Sequence, residues 1–366
     1  MMSAPRLEID LDKIYHNART LVERLAGRGI SVTGVTKATL GSPEIANVLL
    51  RAGVSSLGDS RIENIEAMRM ILPSASMTLI RSPMLSQVER VVRYTDVSLN
   101  TEIEVIKKLS LEAQKVDRTH GVVLMVELGD LREGILPGDL IDTIAEVLTF
   151  PNIAFKGIGT NLACRSGVTP DNSNMSQLSG IADTIETTFG LTVEIVSGGN
   201  SANIEWAFSN TDTGRINNLR LGESILLGCE PLNRTPINGL HTDAITLVAE
   251  VIESKIKPTQ PLGDIAQTAF GEKLAATDRG HIKQIILAIG IQDIDPGGLQ
   301  SPDGICVLGA SSDHLVLESG RDVQPVGTEV TFQLNYSALV RAMTSRFVTK
   351  LVKHKLDGMV VKKTVH

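Results

Sequence analysis

Short apolar runs alternate with amphipathic stretches through the first two thirds of the chain. Residues 6–9, built around Leu7 and Ile9, predict a short strand. Asp10–Arg28 then predicts a helix, with Leu11, Ile14, Ala18, Leu21, Val22 and Leu25 on one face. From there one unit recurs: an apolar strand, a turn rich in Gly, Ser, Asn or Asp, and an amphipathic helix. The pattern places strands at 30–37, 54–58, 77–81, 96–99, 121–128, 153–160, 192–197 and 216–221. Helices fall near 43–53, 61–72, 84–94, 101–117, 137–149, 171–189 and 201–208. Strands alternating with helices at this count, over about 220 residues, predict an α/β chain closed into a parallel (β/α)8 barrel. An open doubly wound sheet would more often show a glycine fingerprint after its first strand, and residues 37–43 lack one.

The rhythm stops near Leu232. Residues 233–239 have turn composition. Strand-like runs follow at 244–253, 282–289, 304–308, 314–318 and 328–334, with a short helix near 336–343. They predict a mostly antiparallel β domain. The expected organisation is an N-terminal strand over 1–9 joining the β domain, a barrel over 10–232, and the β domain over 233–366.

Composition narrows the function. With 366 residues, 42% of them hydrophobic, the chain can bury a large core. A net charge of −7 and only 3% aromatic residues argue against a nucleic-acid footprint or base-stacking platforms. The N-terminus shows no secretory signal, and no stretch has the length of a membrane span. Cys164, Cys229 and Cys306 are far apart and odd in number, which argues against a disulfide framework or a structural metal. A reducing cytoplasm is the expected compartment.

Three features carry candidate chemistry. The first is SVTGVTKATLGSPEI at 31–45, where Ile30, Val32 and Val35 form a buried strand ending at Lys37. A lysine at the carboxyl end of a barrel strand faces the cavity where such barrels work. Desolvated there, its amine can lose its proton and attack a carbonyl. Alone, it reads more readily as a lysine reaching from a strand end into water. The second feature is the pair of glycine turns after the seventh and eighth strands, SGGNSAN at 197–203 and LRLGES at 219–224. Gly198 and Gly199 permit close backbone approach, and Ser201 offers a hydroxyl at a helix start. Either turn alone is an ordinary helix start; together they occupy the two positions where barrels hold phosphate. The third is Arg220, in an apolar strand where an unpaired guanidinium is costly. A lysine, a phosphate cradle and a partner for a ring nitrogen suggest pyridoxal phosphate.

The residues then resemble a family. GVTKATLGSPEIANVLL, LGDSRIENI at 57–65, RSPMLSQVERVV at 81–92, VSLNTEIEVIK at 97–107, VELGDLREGI at 126–135, GIGTNLAC at 157–164, EIVSGGNS at 194–201, LRLGESILLG at 219–228, GIQDIDPGGL at 290–299 and LGASSDHLVLE at 308–318 resemble the fold-type III pyridoxal-phosphate enzymes. Within that superfamily the chain is similar to the alanine/ornithine/lysine racemase branch, and in particular to its ornithine racemases. The resemblance implies a homodimer with shared active sites and an L/D interconversion of an amino acid. It implies Lys37 as the Schiff-base lysine and Arg220 at the pyridine nitrogen. Ser197, Gly199, Asn200, Ser201, Gly222 and Glu223 match the cofactor cradle. Arg132 falls beside the cofactor oxygen and the substrate carboxylate, and Tyr336 falls on the phosphate from the β domain.

The chain departs from the alanine racemases at several places. Gly41 replaces a tyrosine, Met125 a lysine that is often carbamylated, and Asn161 a histidine near the ring. Ile291 replaces the tyrosine that serves as second base, so that role is open among Asp293, Ser312, Asp313, His314 and a one-base mechanism through Lys37. Asp313 occupies the slot where diamine-forming decarboxylases hold a distal ammonium, which points to ornithine, then lysine. Its bland alternative is a carboxylate that orders its own turn or pairs with Arg321. An always-charged Arg220 disfavours a decarboxylase. The β domain disfavours a non-catalytic carrier of the same cofactor.

Overall fold

A computed structural model describes residues 4–209, 212–271, 277–320, 324–356 and 359–365. After β1 (Arg6–Asp10), eight parallel strands follow: β2 (Ser31–Val35), β3 (Ser56–Asp59), β4 (Met77–Leu79), β5 (Val97–Asn100), β6 (His120–Met125), β7 (Ile153–Gly159), β8 (Ile195–Ser197) and β9 (Asn218–Leu221). They close into a barrel in chain order, and β9 returns to β2 with Val32 opposite Leu219 and Thr33 opposite Arg220.

The helices between strands arise from local signals. In the helix Pro43–Arg51, Ser42 Oγ accepts the Ile45 N–H and Pro43 presets the first turn. Ile45, Val48 and Leu49 then fall on one face and are buried against the barrel wall. Each contributes about 1.5–3 kcal/mol by leaving water. Strand β6 stops at Met125, short of the expected residue 128. Glu127 N–H donates to Ile135 O and Ile135 N–H to Met125 O, which folds 126–135 into a loop at the strand's carboxyl end.

The chain divides into two compact units, one of Lys13–His241 and the other of the residues up to Asp12 with those from Thr242 onward. The turn-rich connector stays with the barrel as far as His241. Glu230, 1% exposed, gathers the N–H groups of Leu232, Asn233 and Thr235 and the Thr235 hydroxyl. Asn17 holds His241 by two bonds.

In the other unit β1 pairs antiparallel with β10 (Ile245–Pro258) and parallel with the strand Thr349–Leu356. The sheet continues from β10 through β11 (His281–Leu287) to the strands Leu315–Ser319 and Ile305–Ala310. Its core holds Leu7, Ile9, Leu247 and Phe332, all buried. Among the described residues no helix is long and apolar enough to cross a membrane, and no three His, Cys, Asp or Glu side chains gather as a metal site.

Candidate active site

The strand carrying Lys37 ends two residues before it. Lys37–Thr39 form a single 3-10 turn, closed by Thr39 N–H and Gly41 N–H on Thr36 O. Gly41 has φ +66°, and a Cβ there would lie 2.7 Å from Asn64 Cβ. Glycine therefore lets this turn lie directly on the helix of Asn64, which a tyrosine at position 41 would not allow.

Beneath the turn sits a carboxylate that sequence reasoning missed. Asp59 is fully buried at the end of β3. It accepts the Thr36 hydroxyl at 2.7 Å, the Arg61 N–H at 2.9 Å and the Asn64 amide at 3.0 Å. Burial raises its carboxyl, and these bonds oppose the rise. The signal available beforehand was an acid inside the apolar run SLGD.

Burial is the main reason the Lys37 amine lies below the ordinary lysine range. Arg132 and Arg220 push it the same way; Cys164 and Asp59 oppose them. Arg220, on the strand next to that of Lys37, is 6% exposed. Its guanidinium donates to Ser197 Oγ at 2.5 Å, Thr160 O at 2.7 Å and Asn161 Oδ1 at 3.3 Å. All three acceptors are neutral. Burial, reinforced by Arg132, pushes the guanidinium down to about 10, so it stays a cation at neutral pH.

The glycine turns sit as one cradle. Asn200 Oδ1 accepts the Ala202 N–H, and Asn200 Nδ2 donates to Leu162 O and Asn161 Oδ1. Gly199 has φ +145°, and a Cβ there would lie 2.1 Å from Asn203 Oδ1. Ser201 Oγ lies 3.0 Å from Ser224 Oγ and accepts the Ser224 N–H. Gly222 precedes the short helix Glu223–Leu227, whose first N–H groups have no helical partner. Glu223 lies 3.8 Å from Arg234, and burial raises its carboxyl. It does not meet Arg220.

The loop after β7 is ordered by a second missed acid. Asp130, 1% exposed, takes the N–H groups of Cys164, Arg165 and Ser166. Cys164 is exposed, with its thiol 3.7 Å from Asn200 Nδ2. Met125 packs with Leu99 and Val123 in an apolar cluster, and Arg132 reaches Glu133 at 3.0 Å.

The remaining predicted residues lie in the other unit. Tyr336 opens the helix Tyr336–Thr344, which Asn335 caps. Asp313, which the resemblance sets against a distal ammonium, is exposed in the single chain. Its side chain is 65% exposed, 2.8 Å from His314 Nδ1 and 3.2 Å from Ser312 Oγ. The reason is local: Ser311–His314 form a tight turn at a strand connection. Its backbone packs against Gly290, and the N–H groups of Ile291 and Gln292 bond to Ser311 O and Ser312 O. Asp293 is buried and accepts the Ser345 hydroxyl. Arg321 lies outside the described residues.

The site fits pyridoxal phosphate on one further observation. Asn161 Nδ2 is buried without a hydrogen-bond partner beside a cation that has no acid. A polar ring edge would satisfy both.

Comparison with known proteins adds to this geometry. Residues 9–231 match the family "alanine racemase, N-terminal domain". An ornithine racemase from Acetoanaerobium sticklandii is 39% identical over 94% of this chain and 99% of its own. A lysine racemase from Thermotoga maritima is 40% identical over 96% and 99%. Among solved structures, an alanine racemase from Bacillus anthracis covers the whole chain and 98% of its own with a TM-score of 0.73 at 17% identity. A D-threonine aldolase from Filomicrobium marinum covers 98% and 94% with a TM-score of 0.75 at 16% identity. These structural likenesses concern the fold alone.

Proposed function

The chain belongs to the alanine racemase family, and from that membership we propose a pyridoxal-phosphate-dependent amino-acid racemase acting on basic amino acids, ornithine before lysine. The observation that carries the reading is the pairing of β2 with β9. It sets the strand that leads to Lys37, whose amine burial depresses, next to the strand of a buried arginine whose hydrogen-bond partners are neutral.

Lys37 would hold the cofactor, Ser201 and the start of the helix Glu223–Leu227 its phosphate, Arg220 its ring nitrogen, and Asn161 a polar edge of the ring. When bound, the cofactor supplies an electron sink that acidifies the substrate's Cα proton. Lys37 Nζ, its proton affinity lowered by burial, takes and returns that proton on one face. Arg220 keeps its charge and gives no proton to the ring nitrogen. The sink is therefore shallow, and return of the proton is favoured over loss of carbon dioxide.

The opposite face is served from the β domain, where Asp313 and His314 form an exposed carboxylate–imidazole pair. Asp313 is also the acid for the substrate's distal ammonium, by a charge-assisted bond. Tyr336 adds to the phosphate site. Each site is completed by a second copy of the chain, so the enzyme is a homodimer. Three cysteines without a disulfide are in keeping with the cytoplasm.

The test is Lys37→Ala. Wild-type protein should bind pyridoxal phosphate with a visible absorbance band, remove the optical rotation of L-ornithine and release no carbon dioxide. The variant should lose the band and the activity. A variant that keeps both would overturn the assignment.

A further inference from the structure

Barrels of this kind usually fill their interior with layers of Val, Ile and Leu. Below Arg220 this one opens into a cavity of about 330 Å³ whose lining includes the apolar Leu99 and Val123 and the polar Thr33, Ser56, Ser197 and Asn218. The polar side chains form a directed chain. Arg220 donates to Ser197 Oγ at 2.5 Å, and the Ser197 hydroxyl donates to Asn218 Oδ1 at 2.7 Å. Asn218 Nδ2 donates to Ser31 Oγ at 3.2 Å and to Thr33 Oγ1 at 3.1 Å, and Thr33 Oγ1 lies 2.9 Å from Ser56 Oγ.

The amide orientation is fixed independently. The Ser31 hydroxyl donates to Asn217 O at 2.8 Å, so toward Asn218 it can only accept. The NH2 of Asn218 must therefore face Ser31, which leaves its oxygen for Ser197. From Arg220 through the bonds that Asn218 donates, the protons point away from the guanidinium and the lone pairs toward it. Such bonds polarise one another in the same sense. No carboxylate pairs with Arg220 among the described residues, so this chain takes the place of a counter-ion.

We propose that Asn218 is a positioning residue for Arg220. By holding the Ser197 hydroxyl proton, it leaves only lone pairs for the guanidinium and fixes it as a cation facing the cofactor ring. The inference rests on the function proposed above. The floor cavity allows the amide to be truncated without a clash.

The experiment compares wild type with Asn218→Leu, Asn218→Ser and Asn218→Asp. It measures pyridoxal phosphate affinity of the cofactor-free protein by equilibrium dialysis, the pH titration of the bound cofactor's visible band, kcat and KM for ornithine, and Tm. Leucine cannot accept from Ser197, and serine is too short to reach it. Both should weaken cofactor affinity severalfold, up to about tenfold, the loss of one hydrogen bond between neutral groups. They should also shift the band's titration and lower kcat with little change in KM. Asn218→Asp keeps the acceptor, so its affinity should stay near wild type.

A lower Tm with affinity and titration unchanged in the leucine and serine variants would overturn the proposal, since a structural role does only that. If leucine prevents folding, the serine variant decides by the same criteria. Wild-type protein that took up no cofactor would overturn the functional reading and this inference together.

Discussion

Lys37 is made reactive by its surroundings. Desolvation lowers its amine, two arginines add to the effect, and the buried Asp59 opposes it through the Thr36 turn. The sign of a test follows. Asp59 raises the Lys37 amine, so Asp59→Asn should lower it further. Capture of pyridoxal phosphate by the cofactor-free protein needs the uncharged amine, so its acid limb should move to lower pH in the variant. Stopped-flow absorbance across pH measures this, and an unmoved limb would show that Asp59 does not act on Lys37. Lys37, Arg220 and the glycine turns were legible in the sequence because each breaks a local pattern: a cation ending an apolar strand, an arginine inside one, two turns at matching places. Asp59, Asp130 and Asn218 were not. Each looks like an ordinary polar residue at a strand end or in a loop, and its meaning lies in partners far along the chain. Asp313 rests on a slot in a resemblance, and such a slot says nothing about exposure.

Among the elements, the barrel strands were legible from period and turn chemistry, since strands buried on both faces read as apolar runs. The strands Thr349–Leu356 and Met359–Val365 were not. Lysines interrupt both; the first forms by pairing with the distant β1 and the second by pairing back on the first. The connector after β9 shows how one side chain can hold an element. Burial alone would raise the Glu230 carboxyl; the N–H groups of Thr235, Asn233 and Leu232 and the Thr235 hydroxyl outweigh it and hold the carboxyl below its usual range. The stabilisation is therefore full above the unfolded carboxyl's pKa and is lost as pH falls through the folded one. Glu230→Gln turns an NH2 toward these donors and should cost about 1–3 kcal/mol at neutral pH. The difference from wild type should shrink under acid conditions. Urea denaturation at pH 7 and pH 4 checks this, and an equal difference at both would count against the account.

On the scale of the whole molecule, the barrel carries Lys37 and Arg220 and the other unit carries Asp313 and Tyr336. If a second copy's Asp313 completes each site, inactive Lys37→Ala and Asp313→Asn chains should complement when unfolded and refolded together. Random pairing makes half the molecules mixed, with one intact site in two, so activity should return to roughly a quarter of wild type. No recovery would place both residues in one chain's own site. The account's central claim is that this site moves the Cα proton of a basic amino acid and leaves its carboxylate in place. The most direct measurement follows L-ornithine in deuterated water with the loaded wild-type enzyme, by proton NMR and chiral chromatography. The account predicts loss of the Cα–H signal, equal final amounts of L- and D-ornithine, no carbon dioxide, and slower turnover of L-alanine. Ornithine that keeps its Cα proton, or that yields a diamine, would contradict it.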